Sequence, residues 1–445
     1  MKQNKHFFQM VCNLAVPVAL QSMLQASFSI VDQIMIGQLG SVAVAGVGLA
    51  GKFSSIYSVL VSAIGAVAGI MISQYMGQEN KKEVQRSFRL NFTVAVGLAG
   101  IFTILCMLIP DQIMGLYTTD NQTQQVAGAY LFWISGTYLM AAGATMLSVM
   151  FRCMEKATLP LVASIVAACL NTILNYVLIF GKLGFPEMGV KGAAIATVIS
   201  QAANLLVMAG LFVRHRGCLA IGEKDMEMPP FQWRQYGEML FPILICELAW
   251  SLGENVYAII YGRLGTEACA AMTLINPVQS LMIGALCGLS QAASVIIGKM
   301  LGNREYETAY GAAKKLIWYG FVGSSILSVV IILMSPIYVN IYQVEETVKI
   351  LTRQILLAYA LVAPFKVLNM ILGGGIIRSG GKTKYVMMID MIGTWGFGVP
   401  LGLWSAFVLE LSIPYVYFIL SLEECVRFAI SLVILRKKSW MNQLM

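Results

Sequence analysis

The sequence predicts an all-α polytopic membrane protein, with twelve transmembrane helices in two pseudo-symmetric six-helix bundles. Three observations carry this expectation. Of 445 residues, 58% are hydrophobic and only 12% charged, with a mean hydropathy of +0.75, whereas soluble domains carry about 25% charged residues. Apolar runs long enough to cross a bilayer recur from one end of the chain to the other. A set of landmarks repeats at a fixed offset of about half the chain length. Together they exclude a soluble enzyme with one anchor, a disordered chain and a disulfide scaffold.

A helix needs roughly 20 apolar residues to cross about 30 Å of hydrocarbon. Twelve runs meet that requirement, at 14–38, 42–76, 90–110, 127–150, 158–181, 189–213, 237–262, 268–301, 315–340, 354–376, 384–408 and 412–435. Runs two and eight, near 35 residues, exceed the bilayer and must tilt, bend or protrude. The start Met1-Lys2-Gln3-Asn4-Lys5 has the charge of a signal peptide, but the run behind it is too long and contains Pro17 and Asp32, so it reads as a retained first span.

Basic residues collect in cytoplasmic connections, which tests the count. One set of alternate connections, with both termini, holds 22 Lys and Arg, and the other set holds 5, namely Lys182, Lys191, Arg263, Lys349 and Arg353. Both termini are therefore expected in the cytoplasm and the chain in the cell membrane. The net charge of +8 is explained by this bias, and no nucleic-acid partner is implied.

The repeat appears at an offset of 225. Pro17 matches Pro242, Gly37-Gln38-Leu39-Gly40 matches Gly262-Arg263-Leu264-Gly265, and Gly77-Gln78-Glu79-Asn80 matches Gly302-Asn303-Arg304-Glu305; Arg152 and Lys156 match Arg378 and Lys382 at 226. Six spans per half is an even number, so both halves enter from the same side and the repeat is parallel. The polar stretch 215–236 is the one segment able to join two bundles, giving expected domains of 1–214, 215–236 and 237–445.

Chemistry has little material here. His6 and His215 are the only histidines, and the nine cysteines lie scattered without a CxxC pair, reading as small apolar residues. Gly381-Lys382-Thr383 lacks the glycine that a phosphate loop needs five positions earlier, where Ile376 stands. No nucleophile has a base beside it, so no enzyme and no cofactor are expected.

Ionisable groups within spans cost roughly 2.5–3.5 kcal/mol at the helix centre and are functional candidates by default. Asp32 is the clearest, on a polar stripe with Gln21, Ser22, Gln25 and Ser29. Its repeat equivalent is Tyr257, while Glu254 and Glu247 lie earlier on the seventh span. This broken symmetry assigns the two bundles different work, the coupling ion in one and the substrate in the other. Asp390, Lys366 and the triplet Glu423, Glu424 and Arg427 complete the inventory; the triplet reads first as an ion pair within one helix. Asn171 and Asn175, one turn apart, and Thr197 offer oxygens to a hard cation or hydrogen bonds to a carboxylate.

These residues carry a resemblance. Pro17, Asp32 and the Gly37–Gly40 exit, the Asn171-x-x-Leu174-Asn175 segment, the Gly192–Thr197 run and the loop Arg378–Lys384 resemble the multidrug and toxic compound extrusion (MATE) family over essentially the whole chain. The resemblance implies two bundles forming a V around a cleft, and antiport of organic, often cationic, compounds against H⁺ or Na⁺. It further implies a coupling-ion site of Asp32, Tyr130, Asn171, Asn175 and Thr197, of which Asp32, Asn171, Asn175 and Thr197 would be the Na⁺ ligands. Candidate substrate contacts are Glu254, Glu247, Asp390, Gln25 and Ser29. Asn175 departs from the second acid of many prokaryotic members, Ser148 stands at a helix-four position that is often Asn, and the helix-ten acid of some branches is missing. One formal negative charge weakens a Na⁺ site. The expected partners are small organic substrates and the bilayer, with the chain acting as a monomer. The alternative is a lipid-linked saccharide flippase of the same superfamily, which would line its cleft with more basic residues.

Overall fold

The computed structural model describes residues 2–118, 120–215, 233–342 and 344–443. Linker positions 216–232 lie outside these. Hydrocarbon offers backbone groups no partner, so each apolar run closes its hydrogen bonds internally as helix, and among the described residues there is no strand. In the first half, α1 (Lys2–Gly37), α2 (Ser41–Gly77) and α3 (Lys81–Leu108) precede a short α4 (Pro110–Gly115). The fourth span is broken, α5 (Asn121–Ile134) meeting α6 (Gly136–Cys153) at 46°, and α7 (Thr158–Ile179) and α8 (Gly189–Arg214) follow.

The second half opens with α9 (Trp233–Arg263), whose first turn takes in positions 233–236 of the expected linker. Next come α10 (Thr266–Gly302), α11 (Tyr306–Asn340) and α12 (Glu346–Asn369), which continues as a π-helical stretch over Met370–Ile377. The eleventh span is α13 (Thr383–Asp390), a second π-helical stretch (Met391–Gly398) and α14 (Val399–Phe407). The last is α15 (Ile413–Ser421) and α16 (Glu423–Arg436), interrupted at Leu422. Among the described residues ten helices are each long and apolar enough to cross a membrane, and the bent α5/α6 pair makes an eleventh. The α15/α16 pair falls on the twelfth predicted run.

The repeat is written into the backbone. Left-handed φ values occur at Gly40 (98°) and Gly265 (118°), at Glu79 (57°) and Arg304 (61°), and at Glu155 (61°) and Gly381 (73°), three pairs at the offsets of 225 and 226 read from the sequence. A left-handed residue with a Cβ costs roughly 1–2 kcal/mol, so its recurrence at Glu79 and Arg304 marks the same helix exit built twice. Side chains repeat too. Gln21 Nε2 donates to Ser164 Oγ at 2.8 Å, and their equivalents make the contact Cys246 Sγ to Asp390 Oδ2 at 2.6 Å.

The chain divides into two compact units. One comprises Met1–Ala19, Ser73–Glu79 and Gln232–Met445; the other comprises Leu20–Ile72 and Asn80–Phe231. Thus α1 changes unit just past Pro17, and α2 changes unit in its last turns. In the second unit α7 packs on α8, with α6 and α5 also against α8 and α3 against α6. Small residues permit the close approach: a Cβ on Gly192 would meet Leu178 O at 2.7 Å.

Within the first unit, the last turns of α2 cross the end of α10 through backbone contacts. A Cβ on Gly77 would strike Lys299 O, and one on Gly302 would strike Gln74 O. Gln74 and Lys299 are themselves 225 apart, so the contact is reciprocal, as an isologous contact is across a twofold axis. Beyond α16 the tail folds back over this crossing. Trp440 is fully buried, Gln74 Nε2 donates to Ser379 O at 2.7 Å and Asn442 O at 3.2 Å, and Gln443 accepts from Arg304 Nε at 2.7 Å. A side chain at Gly77 or Gly302 therefore forces two backbones apart. Gly302→Val is expected to destabilise the protein by about 1–3 kcal/mol, the usual cost of overpacking, whereas Gly97→Ala, with nothing within 4 Å, should be neutral. Thermal unfolding of the two variants in detergent checks this.

Candidate functional site

Asp32 lies in the second half of α1, facing α7. Asn171 and Asn175 are a helical turn apart on α7 and point at it together. Asn175 Nδ2 donates to Asp32 Oδ1 at 2.7 Å. The Asn171 amide atom nearest the acid is 2.9 Å from Oδ1 and 3.2 Å from Oδ2, a geometry that against an ionised carboxylate makes that atom the nitrogen. The other end of this amide is 3.4 Å from Thr197 Oγ1 on α8, and the Thr197 hydroxyl donates to Ala193 O at 2.9 Å. Tyr130, buried on α5, lies within the electrostatic field of Asp32. The structure therefore brings Asp32, Asn171 and Asn175 into one hydrogen-bonded group, with Thr197 against the far end of the Asn171 amide and Tyr130 nearby.

A cavity of about 290 Å³ opens beside this group, with Gln25, Ser29, Asp32, Asn171 and Thr197 on its walls. Asp32 is the one carboxylate among the described residues lining it, and no Lys or Arg lines it. Ser148 is buried on α6 and is not on this wall. Ser164, Ser200, Gln201 and Asn204, which the sequence reading left aside, also line it. Their signal was present: Thr197, Ser200, Gln201 and Asn204 are spaced i, i+3, i+4 and i+7, one face of a helix.

The second polar centre is in the other unit. Arg427 on α16 lies 3.7 Å from Asp390, 3.8 Å from Glu423 and 3.9 Å from Glu424, and also donates to Thr394 Oγ1. Its pairing is thus not confined to its own helix, since Asp390 reaches it from the α13 end. Tyr257, the repeat equivalent of Asp32, donates to Glu423 Oε2 at 2.5 Å, and Asn369 Nδ2 donates to Glu424 Oε2 at 2.8 Å. Room for the cluster comes from glycines: a Cβ on Gly393 would strike the Arg427 side chain, and one on Gly398 would strike Glu423 and Tyr257. Both lie in the second π-helical stretch.

Glu254 and Lys366 line a cavity of about 320 Å³ against this centre, with Tyr261, Tyr417 and Glu424. Lys366 lies in the field of Glu424 and Glu254. Glu247 sits elsewhere, 3.6 Å from Arg378. Among the described residues no cluster of three His, Cys, Asp or Glu side chains is placed to hold a metal ion.

Removing a buried cation strands the acids around it, which costs about 3–5 kcal/mol. Arg427→Gln is therefore expected to collapse folding yield and thermal stability, while Glu247→Gln, which keeps an acceptor beside Arg378 at a partly buried pair, should lower stability by less. Fluorescence-detected size exclusion of both variants after heating distinguishes them.

Comparison with known proteins agrees with this architecture. The MatE family model matches residues 17–177 and again 242–404, two matches whose starts are 225 apart. Among curated relatives, a probable multidrug resistance protein NorM of Thermotoga maritima is 27% identical, covering 87% of this chain and 83% of its own length. The uncharacterized transporter YisQ of Bacillus subtilis is 22% identical over 89% of this chain and 90% of its own. Among solved structures, the Vibrio cholerae MATE transporter VcmN in the bent form superposes with a TM-score of 0.89 at 17% identity, covering both chains fully. A MOP superfamily transporter from Pyrococcus furiosus superposes at 0.86 and 18%, covering 96% and 95%. With the family model matched in both halves and the helical architecture in place, the chain is a multi-pass membrane protein that belongs to the MatE family of transporters.

Proposed function

We propose that this protein is a multidrug antiporter that exports organic, often cationic, compounds in exchange for H⁺, with Asp32 as the coupling group. The relatives named as multidrug resistance proteins support the export of drugs. The observation that carries the coupling is the company Asp32 keeps. It is a carboxylate on a membrane-spanning helix, held by two neutral amides in a cavity with no basic residue and no second acid among the described walls. A Na⁺ ion wants more negative charge than one carboxylate supplies, whereas a proton needs one. Asn171 is suited to both states of the acid. Facing ionised Asp32 it presents its nitrogen; with the amide turned, the same position holds an oxygen that accepts from a protonated carboxyl and from Asn175 Nδ2 at 3.1 Å.

An ion drives a conformational change only by binding two conformations differently, and the change of Asp32 between charged and neutral supplies that difference. Gln25 and Ser29 on the same cavity and Glu254 on the other are the substrate-facing groups in this reading. Glu247 and Asp390, each held by an arginine, serve as fixed charges. The flippase reading has less support: Lys366 and Arg427 both lie among acids, leaving little free positive charge for a pyrophosphate. The expected bundle at 1–214 then carries the coupling group with Gln25 and Ser29, and that at 237–445 carries Glu254, in a chain that acts as a monomer with both termini in the cytoplasm.

Asp32→Asn copies the neutral acid at nearly constant volume. It is expected to fold and to abolish concentrative export, while wild-type export in proteoliposomes persists without Na⁺ and collapses with a protonophore. Uphill export by folded Asp32→Asn at the wild-type rate, or strict Na⁺ dependence at constant pH, overturns the coupling. Asn171→Ala and Thr197→Ala each remove one hydrogen-bond partner, worth about 0.5–1.5 kcal/mol, and should slow pH-driven export by about an order of magnitude or less.

A further inference from the structure

Below Asp32 the polar surface does not end. Gln21 lies eleven residues earlier on α1, about 16 Å along the helix axis, and donates to Ser164 Oγ on α7 at 2.8 Å. On α8 the polar face runs from Thr197 through Gln201 to Asn204, about 10 Å in the same direction, towards the end that carries Arg214. The part of α1 from Leu20 onward belongs to the same unit as α7 and α8, and Ser164, Gln201 and Asn204 line the same 290 Å³ cavity as Asp32. On this cavity Asn204 Oδ1 is buried and has no partner.

An orphaned amide oxygen on this polar cavity, that of Asn204, costs about 1–3 kcal/mol in an apolar bundle unless water reaches it. Structural packing alone would not need Gln201 and Asn204 on the cavity side of α8, since alanines and glycines serve helix packing elsewhere on it. We infer that the seam of Gln21, Ser164, Gln201 and Asn204 is a water-filled route joining Asp32 to the face of the membrane that carries the basic connections, and that the coupling proton leaves the protein along it. The neutral amides and hydroxyls hold water without trapping the ion, which a carboxylate or lysine on the path would do. The inference rests on the coupling reading of Asp32 for the identity of the ion, but not for the existence of the water.

The test reads both parts separately. With the nine native cysteines replaced, single cysteines at Gln201, Asn204 and Leu206 are exposed to a membrane-impermeant, positively charged thiosulfonate from either side of sealed vesicles. Leu206 is the control, an apolar α8 position 71% exposed. Positions 201 and 204 are expected to react from the Arg214 side at least about tenfold faster than 206, because only a hydrated thiol forms the reactive thiolate. Equal rates, or reaction only from the opposite side, overturn the route, whichever ion drives export. The second measurement is export by Asn204→Leu, expected to fall about fivefold or more under an imposed pH gradient, with substrate binding to the solubilised protein unchanged. If labelling is as expected and Asn204→Leu exports at the wild-type rate, the proton does not use the seam. Wild-type export that ignores a pH gradient refutes proton coupling and, with it, the proton's use of the route; labelling decides separately whether the route holds water.

Discussion

A carboxylate carried into hydrocarbon must bring its own solvent, and both polar centres of this protein are answers to that requirement. Asp32 is surrounded by neutral donors, the Asn175 and Asn171 amides. Asp390, Glu423 and Glu424 are gathered instead around one guanidinium, with Tyr257 and Asn369 filling the remaining acceptor sites. The difference sets what each centre does. Asp32 can lose its charge without leaving a buried cation behind, whereas neutralising an acid of the Arg427 cluster unbalances a network that holds α9, α12, α13 and α16 together. The same repeat position, Asp32 in one half and Tyr257 in the other, is thus variable in one centre and a fixed strut in the other.

Much of this was legible in the sequence, because hydropathy and the offset of 225 are one-dimensional signals. The runs became helices, and the exits at Gly40, Glu79 and Glu155 recur at Gly265, Arg304 and Gly381 in backbone conformation as well as position. Asp32, Asn171, Asn175 and Thr197 were singled out and the fold brings them together. The bend between α5 and α6 was not readable, since no proline marks it. The π-helical stretches over 370–377 and 391–398 were also missed. Gly393 and Gly398 are there because Arg427, Glu423 and Tyr257 fill the space a side chain would take.

Arg427 shows the limit most clearly. Spacing along α16 finds Glu423 and Glu424, but it cannot find Asp390, which is 37 positions away and enters from another helix. The Gln21–Ser164 contact has the same character. Local period identifies which residues share a face; only the packed bundle says which faces meet.

The division of the chain into units also orders its synthesis. The unit made of Leu20–Ile72 and Asn80–Phe231 is drawn from the first half of the chain and is complete before α9 leaves the ribosome. The other unit includes Met1–Ala19 and Ser73–Glu79, which must wait in the bilayer for partners made much later. Gln74 meets Asn442 only once a segment 368 positions downstream has been made, and the stretch that carries Trp440 and Gln443 arrives after all of the spans. Because domains fold in the order they emerge and long-range contacts close slowly, the crossing of α2 over α10 stays unsealed until that stretch has emerged. A nascent chain stalled before residue 437 would hold one finished bundle and one that cannot yet close.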